Sequence, residues 1–187
     1  IKELKKSGKK VILINFSGSA MALVPETSSC DAIIQAWYPG QEGGTAIADI
    51  LFGDYNPSGK LPITFYKSIK QLPDFLDYSM KNRTYRYFMD EPLFAFGYGL
   101  SYTDFLFGDA TINTDSIGYG ESALLTIPVT NIGKYNGEET VQIYVHKKGD
   151  TEGPLKTLRN YKKVMIQKGK TEDVKIELSY EAFEWFD

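Results

Sequence analysis

The first third of the chain alternates short apolar runs with one helical pattern. Apolar runs of strand length occupy residues 11–16 and 32–38, and Pro39-Gly40 ends the second run. Between Gly43 and Phe52 the apolar residues recur at helical spacing, and Gly53 follows at the position of a left-handed C-terminal cap. Strands that alternate with helices predict a mainly parallel α/β sheet. Over residues 1–65 we therefore predict helix, strand, loop, strand, helix, strand.

Beyond residue 102 the hydrophobic pattern changes to period two, which indicates half-buried strands. Turn-forming segments at residues 131–137, 148–154 and 167–170 separate these strands. The pattern is typical of an immunoglobulin-like antiparallel sandwich. Pro128 has no amide hydrogen, so we expect its strand to lie at a sheet edge or its amide position to face outward. The predicted core positions are Leu125, Ile127, Val129, Val141, Ile143, Val145, Val174, Ile176 and Leu178.

Between these two regions the periodicity fades. Pro73, Pro92, several glycines and many aromatic residues favour an extended connector that lies over other structure. The predicted organisation is an α/β portion over residues 1–65, an aromatic-rich connector over 66–101 and a β-sandwich over 102–187. The fold class is thus α/β plus all-β.

Composition and charge argue against a nucleic-acid-binding protein and against a membrane-spanning one. A formal net charge of −3 leaves no basic surface of the kind a nucleic-acid partner requires, and no apolar run is long enough to span a membrane. The lone Cys30 excludes an internal disulfide and does not assign a compartment. The first residues resemble the end of an amphipathic helix, so we expect the chain to begin inside a domain. Localisation is therefore not readable from the sequence.

Gly40, Gln41 and Glu42 are the candidate substrate-loop residues. They follow the carboxyl end of a predicted strand and precede a helix, which is where open α/β sheets bind ligands. The alternative for Glu42 is a structural one, in which its carboxylate caps the helix and interacts with the positive helix end. The neighbouring glycines fit neither a dinucleotide fingerprint nor a P-loop, and no cofactor is expected.

Other residues with possible chemistry have ordinary structural explanations. Glu26 and Asp31 flank Cys30, but the segment lacks the repeated Cys/His spacing of a zinc site, so we expect a loop with a free thiol and no metal. His146, the only histidine, stands at a strand end beside two lysines and is expected at the surface.

The connector rings have two interpretations, sugar stacking or a packed interdomain core, and their density favours the core. Arg83 and Arg86 are expected to fix the connector by pairing with carboxylates or stacking on rings. The rings concerned are Tyr85, Tyr87, Phe88, Phe94, Phe96, Tyr98 and Tyr102.

Three ordered stretches resemble one enzyme family. Residues 37–62 (WYPGQEGGTAIADILFGDYNPSGKLP) are similar to a consensus of the C-terminal sandwich domain of glycoside hydrolase family 3. Residues 84–88 (TYRYF) with 92–105 (PLFAFGYGLSYTDF) resemble the family's connector. Residues 129–145 (VTNIGKYNGEETVQIYV) resemble its fibronectin type III-like domain. The resemblance covers nearly the whole chain.

The resemblance implies a retaining, exo-acting β-glucosidase or β-xylosidase as the parent protein, secreted or periplasmic, acting on β-linked glucosides or xylosides. Such an enzyme uses one carboxylate as nucleophile and a second carboxyl as acid and base. In the family the nucleophile is an Asp in an N-terminal barrel domain, and the usual acid/base is a Glu upstream of the stretch present here. No segment matches either motif, so we assign no catalytic residue and expect the isolated chain to be inactive. The barrel domain is its expected partner.

A second hypothesis from a different class stays open. The chain would then be a non-catalytic module that binds carbohydrate or another subunit, and exposed coplanar rings on one sandwich face would support it. A flavodoxin-like ligand-binding domain fails for want of a phosphate loop and enough strands.

Overall fold

The computed structural model describes residues 1–185 and divides into two compact units. The first unit holds residues 1–55 and 61–98, and the second holds residues 56–60 and 99–187. Residues 56–60 thus belong to the second unit, although the chain segments on either side of them belong to the first. The predicted boundaries at residues 65 and 101 stay predictions.

The first unit is built around two parallel strands. β1 (Ile12–Asn15) and β2 (Ala32–Gln35) pair in register from Ile12↔Ala32 to Asn15↔Gln35, which agrees with the predicted parallel sheet. Within residues 1–185 no further strand joins either of them. The remaining helices of this unit are α1 (Lys2–Lys5), α2 (Val24–Ser29), α3 (Gly43–Phe52), α4 (Thr84–Tyr87) and a 3₁₀ turn at Ile69–Gln71.

Two local predictions for this unit are wrong. The loop expected between the strands contains α2, which has Pro25 in its first turn, where a missing amide hydrogen costs no helical bond. The segment 61–65, expected to be a strand, forms only an isolated bridge between Phe65 and Phe94. Its main chain bonds to residues 93–98 at its two ends, Leu61 and Phe65, and Pro62 between them has no amide hydrogen to donate.

α3 begins and ends as its sequence predicts. Gly53 closes the helix at φ 86°, in the left-handed region, and its amide donates to the Ile50 carbonyl. Gly43 is buried, and a Cβ there would lie 2.4 Å from Pro39 Cγ. The first turn of the helix therefore needs glycine to pack against the Pro39 ring.

The connector rings pack on one another within the first unit. Phe65 is 1% exposed and makes edge-on contacts with Trp37 and Phe94, at centroid distances of 6.1 and 6.3 Å. The Phe94 ring stacks on Tyr98 at 5.3 Å. Edge-on and offset-stacked rings are the favoured geometries for aromatic pairs. Phe94 and Tyr98 of the connector therefore pack with other rings of this unit.

The second unit contains two antiparallel sheets. In the first sheet, β5 pairs with β3 and β4 on one side and with β8 on the other, while β6 and β7 form the second sheet. The strands are β3 (Phe105–Phe107), β4 (Thr111–Ile112), β5 (Ser122–Asn131), β6 (Gly137–Val145), β7 (Thr157–Ile166) and β8 (Thr171–Ser179), followed by a 3₁₀ turn at Tyr180–Phe183.

The core of the second unit follows the period-two pattern. The buried cluster comprises Ile127, Val129, Val141, Ile166, Val174 and Ile176, with Leu125 and Ile143 packed against it. Leu178 is also buried. The predicted fold class, α/β plus all-β, is confirmed.

Pro128 does not lie in an edge strand, so that alternative is wrong. β5 has strands on both sides, and Pro128 stands opposite Asp173 of β8. The Pro128 carbonyl accepts the Gly108 amide in the gap between β3 and β4. A residue in an antiparallel strand directs its N and O to the same side, so the missing donor faces that gap.

The 56–60 segment is held by hydrogen bonds and an ion pair within the second unit. Asn56 Oδ1 accepts from Ser101 Oγ at 2.9 Å and from the Tyr102 amide at 2.8 Å. Ser58, which is buried, donates to Glu138 Oε2 at 3.2 Å. Lys60 Nζ pairs with Glu139 Oε1 at 2.9 Å. This short segment is thus an integral part of the β-sandwich unit.

Candidate functional site

Polar side chains gather where β1 and β2 end. Asn15 Nδ2 donates to Gln35 Oε1 at 2.6 Å and to Ser17 Oγ at 3.1 Å. Gln35 Nε2 donates to the Ser17 carbonyl at 3.1 Å. The carboxyl ends of parallel strands are the usual ligand-binding edge of an α/β sheet. This network fixes the two loops that leave that edge.

The loop after β2 carries unusual backbone geometry. Trp37 has φ 55°, a left-handed conformation that is uncommon for a bulky residue and often lies near functional sites. The next residue, Tyr38, is 78% exposed, and its ring lies over Gly18. A Cβ at Gly18 would lie 2.6 Å from Tyr38 Cε2, so the two loops approach closely only because position 18 is glycine.

The three candidate residues form the turn between this loop and α3. Gly40 has φ 70°, and its carbonyl accepts the Gly43 amide at 3.3 Å. Gln41 and Glu42 are exposed. Glu42 occupies the N-cap position without a side-chain bond to the helix amides, and its carboxylate accepts from Thr45 Oγ1 at 3.2 Å. The carboxylate therefore remains accessible at the sheet edge, beside the positive helix end.

Four other carboxyl groups have a lowered pKa, each because of a local hydrogen bond or a nearby lysine. Hydrogen bonds from Lys5, Val11 and Lys10 hold the pKa of Asp31 far below its ordinary value. The Ser79 amide lowers the pKa of Asp77, Lys67 lowers that of Glu91, and the Gly153 amide lowers that of Asp150. A general acid at neutral pH needs a raised pKa, so none of these four groups is suited to that role.

The remaining candidates lie apart from the sheet edge. Cys30 is a half-buried free thiol at the end of α2, and His146 is exposed, with Nδ1 3.4 Å from the Pro154 carbonyl. Over residues 1–185 no group of three His, Cys, Asp or Glu side chains is placed to hold a metal ion. No helix in that range is long and apolar enough to cross a membrane.

The two connector arginines act in different ways. The Arg86 guanidinium carbon lies 5.8 Å from the Tyr87 ring centroid, which agrees with the predicted stacking. Arg83 binds main-chain carbonyls rather than carboxylates, donating to Ser79 O and Asp74 O at 3.1 Å and to Asp77 O at 2.6 Å. Arg83 thus holds the connector through main-chain carbonyls and not through the carboxylates or rings that were expected.

Sequence models of two known domains match the chain. The glycosyl hydrolase family 3 C-terminal domain matches residues 1–102, and a fibronectin type III-like domain matches residues 139–187. The chain belongs to glycosyl hydrolase family 3. The resemblance found in the sequence is therefore confirmed, and the chain corresponds to a C-terminal portion of β-glucosidases and β-xylosidases.

Individual family 3 relatives align with the entire chain. A xylan 1,4-beta-xylosidase of Xylanibacter ruminicola is 58% identical over 189 residues, covering 100% of this chain and 21% of that protein. A periplasmic beta-glucosidase of Salmonella typhimurium is 37% identical over 200 residues, covering 100% and 26%. The beta-glucosidase 3B of Thermotoga neapolitana, solved with glycerol, superposes with a TM-score of 0.86 at 33% identity, covering 99% and 28%. The chain spans about a quarter of the relatives it matches.

Sequence reasoning found the turn at Gly40–Glu42 but missed the polar network of Asn15, Ser17 and Gln35. A signal for it was present, because an Asn and a Gln follow the apolar runs VILI and AII at equivalent strand ends. Polar residues at the carboxyl ends of neighbouring parallel strands meet at one sheet edge. That reasoning needs the pairing register, which the two short runs do not specify alone.

Proposed function

We propose that this chain is the C-terminal part of a retaining exo-acting β-glycosidase, and that it completes and braces the enzyme without supplying the catalytic carboxyl pair. The observation that carries the proposal is the match of the whole chain to about a quarter of each family 3 relative. The substrate class, terminal β-linked glucose or xylose, comes from the names of those relatives. The catalytic groups would then lie in the remaining three quarters.

The chemical requirements of a retaining glycosidase support the proposal that the catalytic carboxyl pair lies outside this chain. A retaining enzyme needs two carboxyl groups about 5 Å apart, one ionised as nucleophile and one with a raised pKa as acid. Asp31, Asp77, Glu91 and Asp150 have lowered pKa values and are bound by amides or lysines. None of the four is therefore suited to the acid role, and none lies in a segment that resembles the family's nucleophile motif.

The unpaired sheet of the first unit supports a bracing role. Parallel sheets are normally covered on both faces and continue beyond two strands. Within the described residues, β1 and β2 have only each other, and Ile12 and Phe16 are exposed. Further strands and helices of a longer polypeptide would pair with these edges and cover these side chains.

Trapping the reaction intermediate tests the location of the chemistry. A 2-deoxy-2-fluoro glycoside that reacts with the longer enzyme leaves a covalent sugar on the nucleophile, and peptide mass mapping locates it. We expect the added mass on an Asp outside the 187 residues of this chain. A labelled Asp or Glu within them would overturn the proposal.

We further propose that Gly40, Gln41 and Glu42 lie near the substrate crevice of that enzyme. The exposed Glu42 carboxylate, in the turn between β2 and α3, can accept hydrogen bonds from sugar hydroxyls. Glu42→Gln in the longer enzyme is expected to raise KM several-fold with little change in melting temperature. A purely structural cap predicts the reverse, a lower melting temperature with KM unchanged.

The alternative of a carbohydrate-binding or subunit-interaction module stays a prediction. A stacking platform needs coplanar exposed rings, whereas the exposed Tyr119 is tilted by 49° against Tyr180. Titration of the chain with soluble xylan and glucan tests this function. Saturable binding with the loop at Gly40 deleted would favour the module.

A further inference from the structure

A short loop of the first unit presents apolar side chains to solvent. We call residues 74–80 the aromatic loop. Phe75 is 89% exposed, Leu76 75% and Tyr78 87%. Isolated exposed apolar residues are common on protein surfaces, but three within four positions form a patch of the kind that marks interaction sites.

The aromatic loop is held in one conformation by its own main chain. Arg83 donates hydrogen bonds to three carbonyls of the loop, those of Asp74, Asp77 and Ser79. Asp74 Oδ1 accepts the Leu76 amide and Asp77 Oδ1 accepts the Ser79 amide, both at 2.8 Å. A loop ordered in this way has already lost much of the entropy that binding would otherwise cost.

The same contacts determine what the loop offers to a partner. One oxygen of each carboxylate and the Arg83 guanidinium bind the loop's own backbone, and the apolar side chains exposed on the loop are Phe75, Leu76, Tyr78 and Met80. Leu76 has no ring face for a sugar, and a mixture of aliphatic and aromatic side chains fits an apolar protein surface best.

The length of the relatives supports a partner surface on the same polypeptide. This chain spans 21% of the Xylanibacter relative and 26% of the Salmonella relative, so such proteins carry several times more polypeptide than is described here. A surface on the same polypeptide is present at high effective concentration, which favours it over a second copy of the chain.

We propose that the aromatic loop is a docking surface for the remainder of a longer family 3 polypeptide, with Phe75, Leu76 and Tyr78 buried against an apolar face of that remainder. The proposal rests on the proposed function only in requiring the longer polypeptide. Arg83 is a positioning residue, since it acts on the partner through the loop it holds.

Thiol accessibility tests the proposal without reference to activity. Phe75→Cys and Tyr78→Cys are each introduced into the 187-residue chain and into the longer polypeptide, and alkylation by N-ethylmaleimide is followed by peptide mass mapping. We expect labelling at least tenfold slower in the longer polypeptide. The matched control is Tyr161→Cys, on the exposed face of β7, which is expected to label at the same rate in both proteins.

Each other occupant has its own outcome. Equal labelling in both proteins would overturn the proposal. If labelling of the isolated chain slows as its concentration rises, the occupant of the aromatic loop is a second copy of the chain and the proposal is wrong. If xylotriose slows the labelling, the occupant is a sugar and the proposal is likewise wrong. Arg83→Lys is expected to restore part of the labelling in the longer polypeptide. Unchanged protection would show that Arg83 does not position the aromatic loop for docking. Protection in an inactive longer polypeptide would support docking while the glycosidase proposal fails.

Discussion

The side-chain amide of Asn56 donates a hydrogen bond of 3.1 Å to the main-chain carbonyl of Asn136, 80 positions further along the chain. The same side chain accepts from Ser101 and Tyr102 through its oxygen. One asparagine therefore joins three separate segments of the second unit. A carboxylate or a methyl group in its place cannot satisfy both the donor and the acceptor requirement.

Replacement of Asn56 is expected to destabilise the second unit. Asn56→Ala removes three hydrogen bonds, one of them partly buried, which costs about 2 kcal/mol of unfolding free energy. Denaturant unfolding measures the loss. The control is Asn113→Ala, which removes an acceptor for one exposed amide, that of Leu124. An equal loss in both variants would contradict the joining role of Asn56.

The ion pair of Lys60 and Glu139 is expected to couple the 56–60 segment to β6. Their side chains are 18% and 10% exposed, so water screens the pair less than a surface pair. In a double-mutant cycle of Lys60→Met and Glu139→Gln we expect a coupling energy of about 1 to 2 kcal/mol. The exposed pair of Lys6 and Glu3 serves as the control, with coupling near zero. Similar values for the two pairs would refute this packing.

Two glycine substitutions are expected to have opposite effects. A Cβ at Gly99 would lie 2.1 Å from the Gly59 carbonyl oxygen, so Gly99→Ala forces the main chain apart and costs about 1 to 3 kcal/mol. Gly44 lies within α3, and a Cβ there has no atom within 4 Å, so Gly44→Ala is expected to stabilise the chain by about 0.5 to 1 kcal/mol. Thermal unfolding of both variants checks the signs. A neutral Gly99→Ala would mean that the 56–60 segment packs loosely.

The stability of the first unit is expected to depend on pH through Asp31. Its carboxylate binds Lys5, Lys10 and the Val11 amide, and these bonds lower its pKa. A lowered folded-state pKa stabilises the protein above the unfolded value of about 4, and this contribution is lost as pH falls towards the folded-state pKa. Asp31→Asn should therefore lower the melting temperature at pH 7 and have less effect below pH 3.

Asp109→Asn, at an exposed site of the second unit, is the control for this pH series. It should leave the melting temperature nearly unchanged at both pH values. A penalty of Asp31→Asn that stayed constant down to pH 2 would show that the carboxylate does not act through its charge.

Much of the fold was predictable because its signals are local. The period-two pattern through Ile127 and Val129 depends only on the alternation of a strand, and the end of α3 depends only on the freedom of Gly53 at positive φ. The helix α2 was missed because its apolar pattern is short and its serines also suit turns.

The long-range features were not predictable from the sequence. The transfer of residues 56–60 to the second unit depends on Asn56 and Lys60 finding partners some 80 positions away, and sequence spacing carries no trace of those partners. The position of Gly40–Glu42 in a turn was predictable from Pro39 and the glycines. Its exposed carboxylate was not, because a capping bond was the ordinary expectation.

Hydrolysis assays test the central claim most directly. The 187-residue chain and the longer polypeptide are compared on nitrophenyl β-xyloside and nitrophenyl β-glucoside under the same conditions. We predict turnover of at least one substrate by the longer polypeptide and none by the chain alone. Turnover by the isolated chain would contradict the placement of the catalytic pair, and an inactive longer polypeptide would contradict the proposed glycosidase function.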